Sequence, residues 1–331
     1  MIAYLSKTIA KKRVLSYAVK FSILALLIAI LYVQVFVKQE LSQLIIQFNE
    51  SLQEKGSWFL ISIAVTLVPF NWLLESVKWK VLINQFQTFN IKESIFSVLS
   101  GVSLAIMTPG RIGEYGGRLV GIRKRNQPKA ILANLISSLS QNIINVGLGL
   151  FGALLFLQLY IPLQQNIFFS LIFVSTCITG VMLFIYFRID LLHGILAYLP
   201  KWNWIKKIQK SISAFDHMDT STLFRILGIS LLRYSVYLSQ YVLLIFFFGV
   251  TDNLLSAILG VITIFFFQSN LPLPPALSVL ARGEMAIFLW SVFTDNLLGI
   301  IAASFTLWII NLVIPALLGA AIIAQSKIFE D

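Results

Sequence analysis

Residues 94–110 read SIFSVLSGVSLAIM followed by TPG, and this stretch decides the architecture that the sequence predicts. The mostly apolar residues 94–107 extend only ~21 Å as an α-helix, which is short of the ~30 Å hydrocarbon core of a bilayer. Thr108, Pro109 and Gly110 then interrupt the run. We expect a re-entrant hairpin here, because irregular backbone at membrane depth survives only inside protein or beside water. An interfacial helix with a surface turn is the alternative.

A second stretch repeats the pattern. Residues 254–267, LLSAILGVITIFFF, are again too short to cross a bilayer and run into LPLPP at 271–275. A further short segment follows each interruption, over 112–124 and over 282–293. The sequence therefore predicts two hairpins of half-helices.

The composition places the chain in a membrane. Of its 331 residues, 58% are apolar and 12% are charged, against roughly 25% charged in soluble domains. These values exclude an ordinary soluble enzyme and a nucleic-acid-binding module. The chain has one cysteine and two histidines. We therefore expect no disulfide framework, no histidine-based metal site and no cofactor. Six stretches are long and apolar enough to span a bilayer: 18–37, 57–83, 130–158, 166–187, 222–249 and 297–323.

The basic residues predict the orientation of these spans. Outside the spans, 19 lysines and arginines fall on the side of the N-terminus and three fall on the other side. Basic residues concentrate on the cytoplasmic side of membrane proteins. We therefore expect both termini in the cytoplasm.

The spacing of these elements indicates an inverted repeat. Spans 57–83 and 222–249 each begin 52 residues before a proline of a hairpin, Pro109 or Pro274. Each half, 15–160 and 161–325, holds three spans, so the halves must have opposite orientations. The predicted fold is a single all-α polytopic membrane domain over 1–331, with six transmembrane helices and two opposed re-entrant hairpins, a plan that recurs in transporters.

The motif TPGRIGEYGGR at 108–118 predicts an anion site. Thr108 suits the N-cap and Pro109 the first position of a helix whose positive dipole end would face the membrane interior. Arg111, Glu114 and Arg118 follow at i, i+3 and i+7, which places them on one helix face. The glycines of the motif, including Gly110, let a second backbone or a head group approach. An ordinary basic cytoplasmic loop is the alternative.

Polar residues inside the predicted spans extend this candidate site. Arg233 lies mid-span, where a charge is costly, so we expect it to face a cavity with Tyr237 or to pair with Glu75 or Glu284. Trp79 is expected to anchor a membrane interface. The remaining candidate substrate-binding residues are Asn134, Gln141 and Asn145 in span 130–158 and Arg282 beside Glu284 after the second interruption.

The two motifs TPGRIGEYGGR and LPLPPALSVLARGE resemble those of the lysylphosphatidylglycerol synthase transmembrane-region family, flippase-like membrane proteins, over nearly the whole chain. The resemblance implies lipid translocation or binding in a bacterial cytoplasmic membrane. The best-known members flip aminoacylated phosphatidylglycerol and carry an additional aminoacyl-transferase domain. We expect that domain to be absent, because the chain ends eight residues after its last predicted span.

The sequence favours a lipid transporter that moves or binds an anionic phospholipid or a lipid-linked anion, with membrane lipids and not nucleic acid as partners. An ion-coupled carrier of a small organic anion is one alternative. An intramembrane lipid-modifying transferase is another, for which only Glu114, Glu284 and tyrosines offer acid–base groups. Because nucleotide-binding and hydrolase motifs are missing from the sequence, we expect no enzymatic activity.

Overall fold

The computed structural model describes residues 46, 49–53, 57–161, 163–188, 218–270, 283 and 285–325. Within these ranges every regular element is helical. The principal helices are α1 (Ser57–Ile83), α2 (Ile91–Ile106), α3 (Gly113–Gly117), α4 (Gln127–Tyr160), α5 (Gln165–Phe187), α6 (Thr220–Phe247), α7 (Leu254–Asn270), α8 (Leu297–Trp308) and α9 (Ile314–Gln325).

Among the described residues, five helical segments are long and apolar enough to cross a membrane. They are α1, α4, α5, α6 and the continuous segment Leu297–Gln325, and they confirm the helices predicted from residue 57 onward. The expected first span, 18–37, lies outside the described residues, as do both termini.

The last of these segments is not a regular α-helix throughout. A π-helical turn over Ile309–Val313 joins α8 to α9. Pro315 follows within two residues and has no N–H to offer to the carbonyl of Asn311, four positions earlier. The proline therefore accounts for the local change of hydrogen-bond pattern.

At the first predicted hairpin the structure has two helical arms that pack against each other, but the second arm is much shorter than expected. Whether the hairpin re-enters the membrane stays a prediction. Helix α2 starts with a capping box in which Asn90 and Glu93 exchange hydrogen bonds. It ends at Ile106 and is followed by a 3-10 turn over Pro109–Arg111 and by the five-residue α3. The expectation of one helix running on from Pro109 is wrong, because Gly110 and Arg111 both adopt left-handed backbone, with φ near 60°.

Glycines allow the two arms of this hairpin to touch backbone to backbone. A Cβ atom at Gly113 would lie 2.2 Å from the carbonyl oxygen of Leu104, and one at Gly117 would lie 2.4 Å from that of Ser100. Both distances are far below van der Waals contact. The close approach expected from the glycines of the motif is therefore confirmed at these two positions. At Gly110 and Gly116 an added Cβ would meet nothing within 4 Å.

Helices α2 and α7, which form the first arms of the two predicted hairpins, begin at opposite ends of the helix bundle. Phe89, just before α2, belongs to an apolar cluster with Ala130 near the start of α4. By contrast, Ser256 at the start of α7 is hydrogen-bonded to Tyr160 at the end of α4, with 2.5 Å between the hydroxyl oxygens. The predicted interruption at 271–275 and the residues up to 282 lie outside the described residues, and a short helix covers 285–290. The second hairpin therefore stays a prediction.

The most extensive contacts between the two predicted halves follow the pattern that an inverted repeat would give, although the contacts of α4 with α6 have no equally extensive counterpart. In the predicted repeat, α1 corresponds to α6, α2 to α7, and α4 to α8–α9. The most extensive contacts between the halves join α1 with α6, α4 with α7, and α2 with α9. Under this correspondence the pair α1–α6 is exchanged with itself, and the pair α4–α7 is exchanged with the pair α2–α9. Glycines permit close packing in both of the exchanged pairs: Gly152 of α4 faces Ile262 of α7, and Gly319 of α9 faces Leu99 of α2.

Candidate functional site

One carboxylate at the centre of the bundle holds cations from three elements. Glu75, 3% exposed, lies on α1. Its Oε1 is 2.6 Å from Nη2 of Arg118, which follows α3. Its Oε2 is 3.0 Å from Nζ of Lys78 on its own helix and 3.3 Å from Nη1 of Arg233 on α6. The structure thus brings together Arg118 and Arg233, which are separated by 115 positions in the sequence.

A second carboxylate extends this group toward the surface. Oε1 of Glu114 is 2.6 Å from Nη2 of Arg118, and its Oε2 is 3.0 Å from Nη2 of Arg111. Arg118 is buried, whereas 56% of the Arg111 side chain is exposed. These two ion pairs bring Arg111, Glu114 and Arg118 together, although not on the face of one helix as predicted, because only Glu114 lies within α3.

We call these six connected residues the charged cluster: Glu75, Lys78, Arg111, Glu114, Arg118 and Arg233. The sequence predicted that a helix starting at Pro109 would direct its N-terminus and its dipole at an anion. This prediction is wrong, because no α-helix starts there and α3 has only five residues. Thr108 does not cap a helix that starts at Pro109. Its hydroxyl oxygen instead accepts a hydrogen bond from the backbone N–H of Gly113 at 2.7 Å. The chemistry of the site comes from side chains.

Two tryptophans of α1 lie against the arginines. The guanidinium carbon of Arg118 is 5.1 Å from the ring centroid of Trp79, and that of Arg233 is 5.3 Å from the ring centroid of Trp72. These distances are typical of cation–π contacts. The indole N–H of Trp79 donates to Oγ of Ser97 at 2.9 Å. The expectation that Trp79 anchors a membrane interface is wrong, because its side chain is completely buried.

Lys78 is the member of the charged cluster that the sequence analysis did not identify. Its ammonium group is 3.4 Å from the carbonyl oxygen of Ser137 and 3.3 Å from Oγ of Ser230, in addition to its contact with Glu75. The sequence did contain a signal for Lys78, because it follows Glu75 by three residues in a mostly apolar span and this spacing favours an ion pair on one helix face. Ser137 and Ser230 gave no signal, since serines of this kind are common at helix–helix contacts.

The predicted uncharged face of α4 borders the charged cluster. Gln141 Oε1 accepts a hydrogen bond from Nη1 of Arg233 at 3.4 Å. Asn134 is 1% exposed, and neither polar atom of its side chain has a partner among the described residues. Asn145, half-buried, lies one turn beyond Gln141. The prediction that this face lines a path for a head group stays a prediction.

Further polar residues continue along α1 and α6. One turn before Glu75, Nδ2 of Asn71 donates to Oδ1 of Asn311, in the π-helical turn, at 3.0 Å. One turn after Arg233, Tyr237 stacks on Phe265 with 4.9 Å between ring centroids. Tyr237 also lines a small cavity together with Gln268 and Ser304 among others. Arg282 and Glu284, the candidates of the second hairpin, lie outside the described residues.

Several strong donors of the charged cluster have no partner among the described residues. Nε and Nη1 of Arg118 and Nε of Arg233 are buried and make no hydrogen bond to any described residue. The same holds for the indole nitrogen of Trp72. Buried donors are almost always paired in folded proteins. These unpaired donors of Arg118, Arg233 and Trp72 could therefore be satisfied by an anion with several acceptor oxygens.

Among the described residues, no group of three His, Cys, Asp or Glu side chains is arranged to hold a metal ion. Comparison of the chain with protein-family models, with curated proteins and with solved structures finds no match. The resemblance carried by the two motifs therefore stays a prediction.

Proposed function

We propose that this chain is a membrane transporter or binder of an anionic phospholipid or lipid-linked anion, and that Arg118 and Arg233 hold the anion. The observation that carries the proposal is the pairing of both arginines with the single carboxylate of Glu75, while three of their guanidinium nitrogens have no partner among the described residues. Guanidinium groups bind phosphate through paired hydrogen bonds. Glu75 keeps the two side chains in place when no anion is bound.

The arrangement of the helices supports a transport function. The starts of α2 and α7 at opposite ends of the bundle, and the similarly extensive contacts of α4 with α7 and of α2 with α9, resemble the arrangement in inverted-repeat transporters. Arg118 comes from the first predicted half and Arg233 from the second. In such proteins the substrate site lies between the halves near the middle of the membrane. We place the charged cluster at this position.

Reconstitution into liposomes tests the proposal. The protein is incorporated with fluorescent anionic, zwitterionic or aminoacylated phospholipids, and movement of the label between leaflets is followed with a membrane-impermeant quencher. We expect movement of the anionic lipid to be faster than in protein-free liposomes. Arg233→Ala is expected to slow it at least about tenfold, because loss of a buried charge-assisted hydrogen bond costs roughly 1.5–3 kcal/mol.

Arg225→Ala is the matched control. Arg225 lies on the same helix two turns earlier, and its side chain is exposed. We expect this variant to move lipid at the wild-type rate. Equal rates for wild type and Arg233→Ala, with both proteins folded, would exclude a role for Arg233 in holding the lipid.

A carrier of small organic anions is the second candidate, and the burial of the site favours it. Glu75, Lys78 and Arg118 are each 3% exposed or less, which is typical of a site closed to lipid. The same liposomes, loaded with a labelled dicarboxylate or phosphate ester, distinguish the two candidates. Release of the small anion without movement of lipid between leaflets would replace the first proposal by the second.

The proposed topology has the connection between α4 and α5 outside the cell and the connection between α1 and α2 in the cytoplasm. We replace the native Cys177 with serine and introduce Gln164→Cys or Gln85→Cys, at exposed positions in these connections. A membrane-impermeant maleimide applied to intact cells should label only position 164. Labelling of position 85 alone would reverse the orientation.

A further inference from the structure

The charged cluster carries more positive than negative charge. It contains four cations, Arg111, Arg118, Arg233 and Lys78, and two carboxylates, Glu75 and Glu114. Among the described residues, two positive charges are therefore uncompensated. Arg111 is 56% exposed, so its charge is hydrated at the rim of the cluster, and the buried part carries one excess positive charge. That buried excess is costly, because a charge taken out of water needs an opposite charge close by.

The four cations do not have the same role. The ammonium group of Lys78 contacts Glu75, the carbonyl oxygen of Ser137 and Oγ of Ser230. Its three donors are thereby used, so that Lys78 contributes charge but no free donor. The free donors belong to the arginines: Nε and Nη1 of Arg118 and Nε of Arg233.

From this excess charge and these donors we propose that the site selects a terminal phosphate monoester over a phosphodiester. A monoester carries a charge of roughly −1.5 to −2 at neutral pH and three strong acceptor oxygens. Both properties match the cluster, which has one excess positive charge in its buried part, a second on Arg111 at its rim, and three guanidinium nitrogens without a partner among the described residues. A diester, as in most phospholipid head groups, carries one charge and leaves one positive charge without compensation. The inference rests on the proposed function and defines its substrate class.

Binding measurements on the full chain in lipid nanodiscs test the selectivity. The probes are dioctanoyl phosphatidate, which has a terminal monoester, and its monomethyl ester, which differs by one methyl group and about one charge. Binding is followed by the tryptophan fluorescence of Trp72 and Trp79, whose rings lie against Arg233 and Arg118. We expect the monoester to bind at least about tenfold more tightly, since one additional charge near partly buried cations is worth that much or more. Glycerol 3-phosphate, a monoester without acyl chains, separates a lipid from a soluble phosphate.

Two variants lower the excess charge from two to one without removing a free donor of Arg118 or Arg233. Lys78→Met removes the buried ammonium group. Arg111→Gln removes a charge from an exposed side chain and does not endanger folding. In both variants we expect the preference for the monoester to fall to about threefold or less. Lys80→Met on the same helix and Arg225→Gln on α6, neither of which belongs to the charged cluster, are the matched controls and should keep the wild-type preference.

Each outcome has a distinct meaning. Tighter binding of the monoester, reduced by the two variants and not by their controls, supports the inference. Equal binding of the two lipids, or tighter binding of the methyl ester, overturns the inference but leaves the proposed function intact. If glycerol 3-phosphate binds as tightly as dioctanoyl phosphatidate, selectivity for a monoester is retained and the lipid as substrate is rejected. Absence of binding by every probe overturns both.

Discussion

Replacing Gly117 with alanine should separate the two arms of the first hairpin and weaken the site at Arg118. The added Cβ would lie 2.4 Å from the carbonyl oxygen of Ser100 and 2.6 Å from Cα of Gly101. Both atoms are backbone, so no side chain can rotate away. Reaching ordinary contact at 3.4 Å requires a shift of α3 by roughly 1 Å, a change typical of overpacking, which costs about 1–3 kcal/mol.

The same shift acts directly on the next residue. Arg118 Nη2 is 2.6 Å from Glu75, and the backbone oxygen of Arg118 accepts a hydrogen bond from Ser97 Oγ at 2.7 Å. A displacement of roughly 1 Å takes both contacts beyond good hydrogen-bond distance. With this loss the expected destabilisation rises to about 2–5 kcal/mol. Thermal unfolding in detergent micelles, followed by tryptophan fluorescence, measures the effect, and anionic-lipid binding should weaken in parallel.

The neighbouring glycine provides a matched control. Gly116 lies in the same short helix and is exposed, and a Cβ there would meet nothing within 4 Å. We expect Gly116→Ala to be neutral or to stabilise the protein by up to ~1 kcal/mol, because alanine is the better helix former. If Gly117→Ala unfolds at the wild-type temperature, or if both variants lose the same stability, the close approach of the two arms is not what holds Arg118 in place.

Three further substitutions test other parts of the structure. Glu75→Gln should lower the free energy of unfolding by about 3–5 kcal/mol, because it leaves buried cations without their carboxylate, whereas Glu50→Gln at an exposed position should stay within ~0.5 kcal/mol of wild type. Chemical unfolding in micelles compares the two, and equal stabilities would contradict the central role of Glu75. Trp79→Phe removes the indole N–H that donates to Ser97 and should cost about 1 kcal/mol; an unchanged unfolding midpoint would show that this bond contributes nothing. Asn90→Ala breaks the capping box of α2 and should cost ~1 kcal/mol, visible as faster hydrogen exchange in the first turn of α2 with no change at α4.

The helices that can cross a membrane were predictable from the sequence with small errors at their ends. The expected span 130–158 is observed as Gln127–Tyr160, and 222–249 as Thr220–Phe247. Apolar runs of this length determine their own helical structure, because in lipid the backbone must satisfy its hydrogen bonds within the segment. The interruption after residue 107 was predictable for a similar reason, since Pro109 and Gly110 interrupt a helix locally.

The short second arm of the hairpin was not predictable from helix signals alone. Thr108 and Pro109 are typical of a helix start, and spacing alone placed Arg111, Glu114 and Arg118 on one face. The observed helix has only five residues, because the arm packs at backbone contact against α2 through Gly113 and Gly117. Tertiary packing outweighs a local preference for helix that is worth a fraction of a kcal/mol per residue.

The sequence alone determined the residue types of the site, which are arginines and carboxylates at spacings that suit an anion. It also determined the segments that carry them. Which cation meets which carboxylate was decided only by the tertiary structure. The sequence predicted that Arg233 either faces a cavity or pairs with Glu75 or Glu284. In the structure it pairs with Glu75. The physical reason is that a buried charge takes its partner from whatever element packs within about 4 Å, and that choice depends on how α1, α3 and α6 cross, which no local pattern records.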